Sequence, residues 1–136
     1  MNIDKFKQQH IEIIGSVTAL RQLARGGIIE NAAEIAQSIV SMSSIIKLHL
    51  AVEDNMLYPV LRDGNNAAMA RMSKKFQDEM DAIASAYMNF SRNWNHVAKV
   101  AGDPEGFRSE ANIVLKTLHE RMQRENTIFY PAIEAL

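Results

Sequence analysis

A chain of 136 residues, 47% hydrophobic and 23% charged, has the balance of one folded domain with a real core, and disorder is not expected. A formal net charge of -1 gives no basic surplus for nucleic acid or an anionic membrane, so neither is expected as a partner. The absence of cysteine excludes disulfides, thiolate-held metals and a cysteine nucleophile, and is compatible with the cytoplasm, the expected compartment.

The first residues, Met1 to Lys7, carry charge and no apolar signal core, and no run of about 18 apolar residues marks a membrane span. The first predicted helix runs up to Gly26-Gly27. It places Ile3, Phe6, His10, Ile13, Val17, Leu20 and Ala24 on one stripe, with Asn2 or Asp4 as its cap. The second runs to Asp63-Gly64-Asn65-Asn66, with Asn31 as cap, Pro59 near its end, and a stripe of Ile35, Ile39, Met42, Ile46, His49, Glu53 and Met56. The third gives Met69, Met72, Phe76, Glu79, Ile83, Ala86, Phe90, Trp94 and Val97. The fourth opens on Asp103-Pro104, a cap followed by proline at the first helical position, and gives Phe107, Ala111, Val114, Leu118, Arg121, Glu125 and Ile128.

Steps of three and four keep each set on one helical face, and no useful stretch alternates with period two. Residues 1–136 are therefore predicted to form a single all-α domain, an antiparallel up-down-up-down four-helix bundle. The second and fourth helices also share a motif. Glu53 is followed by Leu57-Tyr58-Pro59 and Glu125 by Phe129-Tyr130-Pro131. One turn before each glutamate stand His49 and Arg121 respectively.

Six ionisable residues thus fall on stripes meant for a core: His10, His49, Glu53, Glu79, Arg121 and Glu125. A buried, unpaired carboxylate costs several kcal/mol, so such groups pair, bind a metal or change protonation. His49 and Glu53 are one turn apart and can reach one ion; imidazole nitrogen with carboxylate oxygen suits iron, manganese or zinc. For Glu79 a boundary position is the alternative, with Met80 turned inward. His119 is out of register with Glu125 and is read as a surface or boundary residue, and His96 as solvated.

His10, then His49-xxx-Glu53 with Leu57-Tyr58-Pro59, then Glu125 with Phe129-Tyr130-Pro131 resembles the hemerythrin-like (HHE cation-binding) domain over nearly the whole chain. The resemblance implies a hemerythrin-like four-helix bundle with a non-haem di-iron site between its helices. It implies chemistry with dioxygen or peroxide: reversible binding, oxygen or redox sensing, or handling of peroxide, nitric oxide or iron. By position His10, His49, Glu53 and Glu125 match metal ligands, and Glu79 joins them as a candidate for one or two iron ions. Two departures stand out. The third helix reads Phe76-Gln77-Asp78-Glu79-Met80-Asp81, without histidine, and Arg121 stands where the family has one. Arg121 either neutralises Glu125 or Glu79 beside a reduced or mononuclear site, or belongs to a metal-free ionic network.

The competing reading is a metal-free, degenerate hemerythrin-like bundle acting as an interaction module, through a partner surface or homodimerisation. A peroxide-consuming or iron-oxidising enzyme is a third. No nucleophile arrangement or phosphate-binding glycine loop is present, and no residue is singled out as catalytic.

Overall fold

The computed structural model describes residues 1–136 and contains helices and no strands. Helix α1 is Asp4–Arg25. Helix α2 covers Ala32–Arg62, α3 is Ala67–Trp94, the short α4 is Val97–Gly102, and α5 covers residues 104–134. The four long helices form the bundle in a ring, α1 against α2, α2 against α3, α3 against α5, and α5 back against α1. Each long helix thus packs on its neighbours in sequence, as expected of a helical bundle.

The breaks fall at the three expected places, and at a fourth, Asn95-His96, which no glycine or proline marks. There Trp94 is buried and its Nε1 donates to Glu110 of α5 at 2.6 Å, while α4 folds back on α2. Gly27 has φ 122, a conformation that side chains rarely adopt, and it lets the chain leave α1 sharply. Asn31 does not cap α2; its Nδ2 donates to Leu23 O at 2.9 Å and closes the end of α1 instead. Asn66 and Asp103 do cap, accepting from Met69 N and Gly106 N at 2.9 and 3.0 Å. Replacing Asp103 by alanine is expected to cost about 1 kcal/mol, read as a lower thermal midpoint with metal binding unchanged.

Two apolar clusters fill the bundle. The larger contains Ile13, Val17, Ile39, Ile46, Met80, Leu118 and Met122; the smaller contains Phe6, Val52, Leu57, Tyr58, Phe76, Phe129 and Tyr130. Between them every long helix contributes a polar residue at one level: His10 from α1, His49 and Glu53 from α2, Glu79 at the edge of α3, and Arg121 and Glu125 from α5.

At this level α2 and α5 each change pitch. Glu53–Leu57 and Glu125–Phe129 are single π turns, closed by Tyr58 N–H on Glu53 O and Tyr130 N–H on Glu125 O. Pro59 and Pro131 follow at once. A proline has no N–H for the carbonyl four residues back and its ring crowds that carbonyl, which the wider turn relieves. Each π turn inserts one residue into the register. Met56 and Ile128, expected inside, are therefore 58% and 49% exposed, and Leu57 and Phe129 are buried in their place.

Helix α3 departs from its expected stripe for another reason. Steps alternating three and four average 3.5 residues, and a 3.6-residue helix drifts against them. Met80, Ala84 and Tyr87 face inward, while Glu79 and Ile83 lie at the boundary and Ala86 is exposed; Val97 falls beyond the break, in α4, and is exposed. Helix α2 is, by length and composition, long and apolar enough to cross a membrane, although no unbroken apolar run of about 18 residues marks it. Its most buried face carries His49, whose polar partners Gln9, His10 and Glu125 come from α1 and α5, and Glu53, which pairs with His49, the arrangement of a core helix.

Candidate metal centre

Four side chains of ligand type meet in the polar layer, and none is more than 1% exposed: His10, His49, Glu53 and Glu125. Nε2 of His10 lies 2.6 Å from Oε2 of Glu125 and 3.2 Å from Nε2 of His49. Nε2 of His49 lies 2.8 Å from Oε1 of Glu53 and 3.9 Å from Oε2 of Glu125. The ligand atoms of His10, His49 and Glu125 all fall within 4.8 Å of one another.

The far side of each imidazole shows what the near side offers. Nδ1 of His10 faces Oδ1 of Asn126 at 2.9 Å, and Nδ1 of His49 faces Oε1 of Gln9 at 2.8 Å. An amide oxygen only accepts, so each neutral ring carries its proton on Nδ1 and turns an unprotonated Nε2 inward, that of His10 also within hydrogen-bond distance of the Tyr130 hydroxyl. Glu53 Oε1 and Glu125 Oε2, though close to these nitrogens, have no hydrogen-bond partner. The two ring nitrogens then converge on Glu125 Oε2, with Glu53 Oε1 beside His49, and no proton lies between imidazole and carboxylate. A cation converts that repulsion into coordination, so the donor set fits a metal ion.

Without a cation the layer relieves itself by protonation. Burial, the largest single influence on His49, pulls its pKa down, but Glu125 and Glu53 together outweigh it and hold it up at about 9. Burial and the charge of Glu125 push Glu53 up. Glu125 is pulled the other way: burial opposes its charge, but His10, His49 and Arg121 hold it at about 2.

In the metal-free protein His49 is protonated at pH 7, so taking up a cation there expels a proton. The apparent affinity is expected to rise up to about tenfold per pH unit below pH 9, measured by titration calorimetry in buffers of different ionisation enthalpy. Because the folded pKa lies above the ordinary 6.5, the stability contributed by charged His49 is fully present below 6.5 and lost as pH rises through about 9.

The shared motif supplies a phenol to each half. Tyr130 O–H lies 2.9 Å from His10 Nε2, and Tyr58 O–H donates to Glu53 Oε2 at 3.4 Å. Burial, then the neighbouring carboxylates, push both phenols up, so they remain proton donors.

On the other side of Glu125 stands Arg121, 1% exposed. Its Nε and Nη2 donate to Glu125 Oε1 at 3.2 and 3.1 Å, Nη2 also donates to Phe76 O, and its plane lies over the Phe76 ring at 4.5 Å. Glu79, an expected ligand, is not brought to the imidazoles. Its side chain is 34% exposed and its Oε2 accepts from Arg124 and Arg121 at 3.0 and 3.5 Å. His119 sits at the boundary near Arg21 and Gln123, and His96 is exposed, as expected of both.

Gln9 and Asn126 were invisible to the stripe pattern, because a glutamine or asparagine beside a core position is ordinary on a helix. Their only signal is adjacency to His10 and Glu125. Tyr58 and Tyr130 were visible as motif, but their reach to the site depends on the π turns.

An all-α bundle with a buried layer of histidine and glutamate aimed at one point defines a cation-binding helical domain. The family comparison agrees with that class: the hemerythrin HHE cation-binding domain matches residues 1–133, and the chain belongs to that family. Comparisons with curated proteins and with solved structures gave no match.

Proposed function

We propose that this protein binds iron through His10, His49, Glu53 and Glu125 and serves oxygen- or redox-linked chemistry. The observation that carries the reading is the pair of Nε2 lone pairs, set by Gln9 and Asn126, facing two carboxylate oxygens that lack any hydrogen-bond partner. Two imidazoles with two carboxylates suit iron, with manganese and zinc as competitors. Bound iron supplies one-electron redox chemistry and a position for a small oxygen species.

The chain's own residues set the conditions. His10, His49, Glu53, Glu125, Tyr58 and Tyr130 are each at most 2% exposed, so the layer suits dioxygen or peroxide better than an organic substrate. The Tyr130 hydroxyl, held against His10, and the Tyr58 hydroxyl, held against Glu53, keep protons at the edge of the site. The apolar clusters above and below keep bulk water away from it.

The test is anaerobic titration with Fe(II) followed by exposure to air. Uptake with new near-ultraviolet absorption on oxidation is expected. A folded protein that takes up no Fe(II), Mn(II) or Zn(II) would reverse the reading in favour of a metal-free helical module.

A further inference from the structure

We infer that the centre takes a single divalent ion, and that Arg121 stands as a built-in cation where a second ion would otherwise meet Glu125. This rests on the metal-binding reading above and adds to it the number of ions and the residue that limits it.

The two halves of the layer are alike in backbone and differ in one side chain. Glu53 and Glu125 are both fully buried, both open a π turn, and both follow a basic residue by one helical turn. In the first half that residue, His49, turns a nitrogen to its glutamate at 2.8 Å. In the second it is Arg121, which places two N–H donors on Oε1 of Glu125. The carboxylate of Glu125 is therefore divided: Oε2 faces the histidines and Oε1 the guanidinium.

The guanidinium is fixed there. All three of its nitrogens are engaged, by Glu125, Phe76 O and Glu79, and the ring of Phe76 packs against its face. A side chain held at that many points does not swing aside for an ion. The donors left in this half are also spent. Glu79 Oε2 is shared by Arg121 and Arg124, and residues 76–81 of α3 include no histidine.

Charge points the same way. Glu53 and Glu125 against Arg121 leave one negative charge in the buried layer when the histidines are neutral. One divalent ion brings the layer to a single positive charge; two would bring it to three, in surroundings that solvate charge poorly.

The decisive measurement is the amount of iron retained after anaerobic Fe(II) loading and desalting, by elemental analysis. About one ion per wild-type chain is expected. About two would overturn this inference and leave the metal-binding reading intact; none would overturn both. Arg121→His rebuilds the His49–Glu53 spacing on α5, and its loading is expected to rise from one ion to two. A folded Arg121→His protein that still takes one ion would overturn the assignment of that place to a cation.

Arg121→Lys, which keeps the charge, and Arg124→Met, which does not touch Glu125, are expected to stay at one; two ions in either would count against Arg121. Arg121→Met removes a positive charge beside the ligands and frees Glu125 Oε1. Its single Fe(II) is expected to bind at least about tenfold more tightly. If arginine served only to orient Glu125, affinity would fall instead.

Discussion

Arg121→Ala is expected to lower the stability of the metal-free protein by about 3–5 kcal/mol, seen as a reduced urea midpoint with an unchanged slope. The side chain is among the largest fully buried ones in the molecule. Its removal leaves Glu125 Oε1 and Phe76 O without their donors and opens a cavity against the Phe76 ring. Losing one partner of a buried pair costs more than the pair contributes, because the remaining charge stays buried. Domains of this kind have about 5–15 kcal/mol in total, so the variant approaches the limit of folding. Arg124→Ala is the contrast. That arginine is 44% exposed and meets Glu79 at the surface, where an ion pair is worth about 0–1 kcal/mol. Equal losses for the two variants would contradict a buried ionic role for Arg121.

His49→Ala is expected to reduce metal affinity by at least roughly a hundredfold, because it removes the nitrogen nearest Glu53, which also lies 3.9 Å from Glu125. Gln9→Ala removes only the hydrogen bond that sets the ring's tautomer and orientation, and a loss of roughly 10–100-fold is expected. Thermal unfolding provides a second measure. A ligand present at a hundred times its Kd stabilises the fold by about 2.7 kcal/mol, so saturating metal should raise the wild-type midpoint and leave that of His49→Ala almost unmoved. Equal metal-induced shifts in both proteins would place the ion elsewhere.

The two variants probe opposite sides of one carboxylate. Glu125 is held well below the usual range by His10, His49 and Arg121, and it remains charged whether or not an ion is present. His49 is the group that changes state, protonated in the metal-free protein and bare when a cation is bound. Metal binding and proton release are therefore expected to be coupled through His49, with Glu125 as the constant anion.

Much of this was legible in the residues. Apolar periodicity, Gly26-Gly27, the Asp63–Asn66 turn and Asp103-Pro104 located the four long helices, because helix burial and turn chemistry act locally. The inward positions of His10, His49, Glu53, Arg121 and Glu125 followed from the same periodicity, and all five are buried. The errors at Met56 and Ile128 share one cause. A π turn leaves no trace in a three-and-four pattern until the proline that follows it is considered. Glu79 slipped outward through the slow drift of a long helix against a 3.5-residue stripe, and the break at Asn95-His96 carried no local signal.

By itself the sequence determined an all-helical chain, the order of its helices, and a polar level crossing an apolar core, since each depends on spacing along one helix. Which polar groups meet was decided only by tertiary structure. His10 reaches Glu125 because α1 packs on α5, Gln9 sets His49 because α1 packs on α2, and Glu79 is drawn to Arg124 and Arg121 at the edge. Those contacts depend on helix rotation and on the one-residue shift of each π turn, quantities set by packing across the bundle.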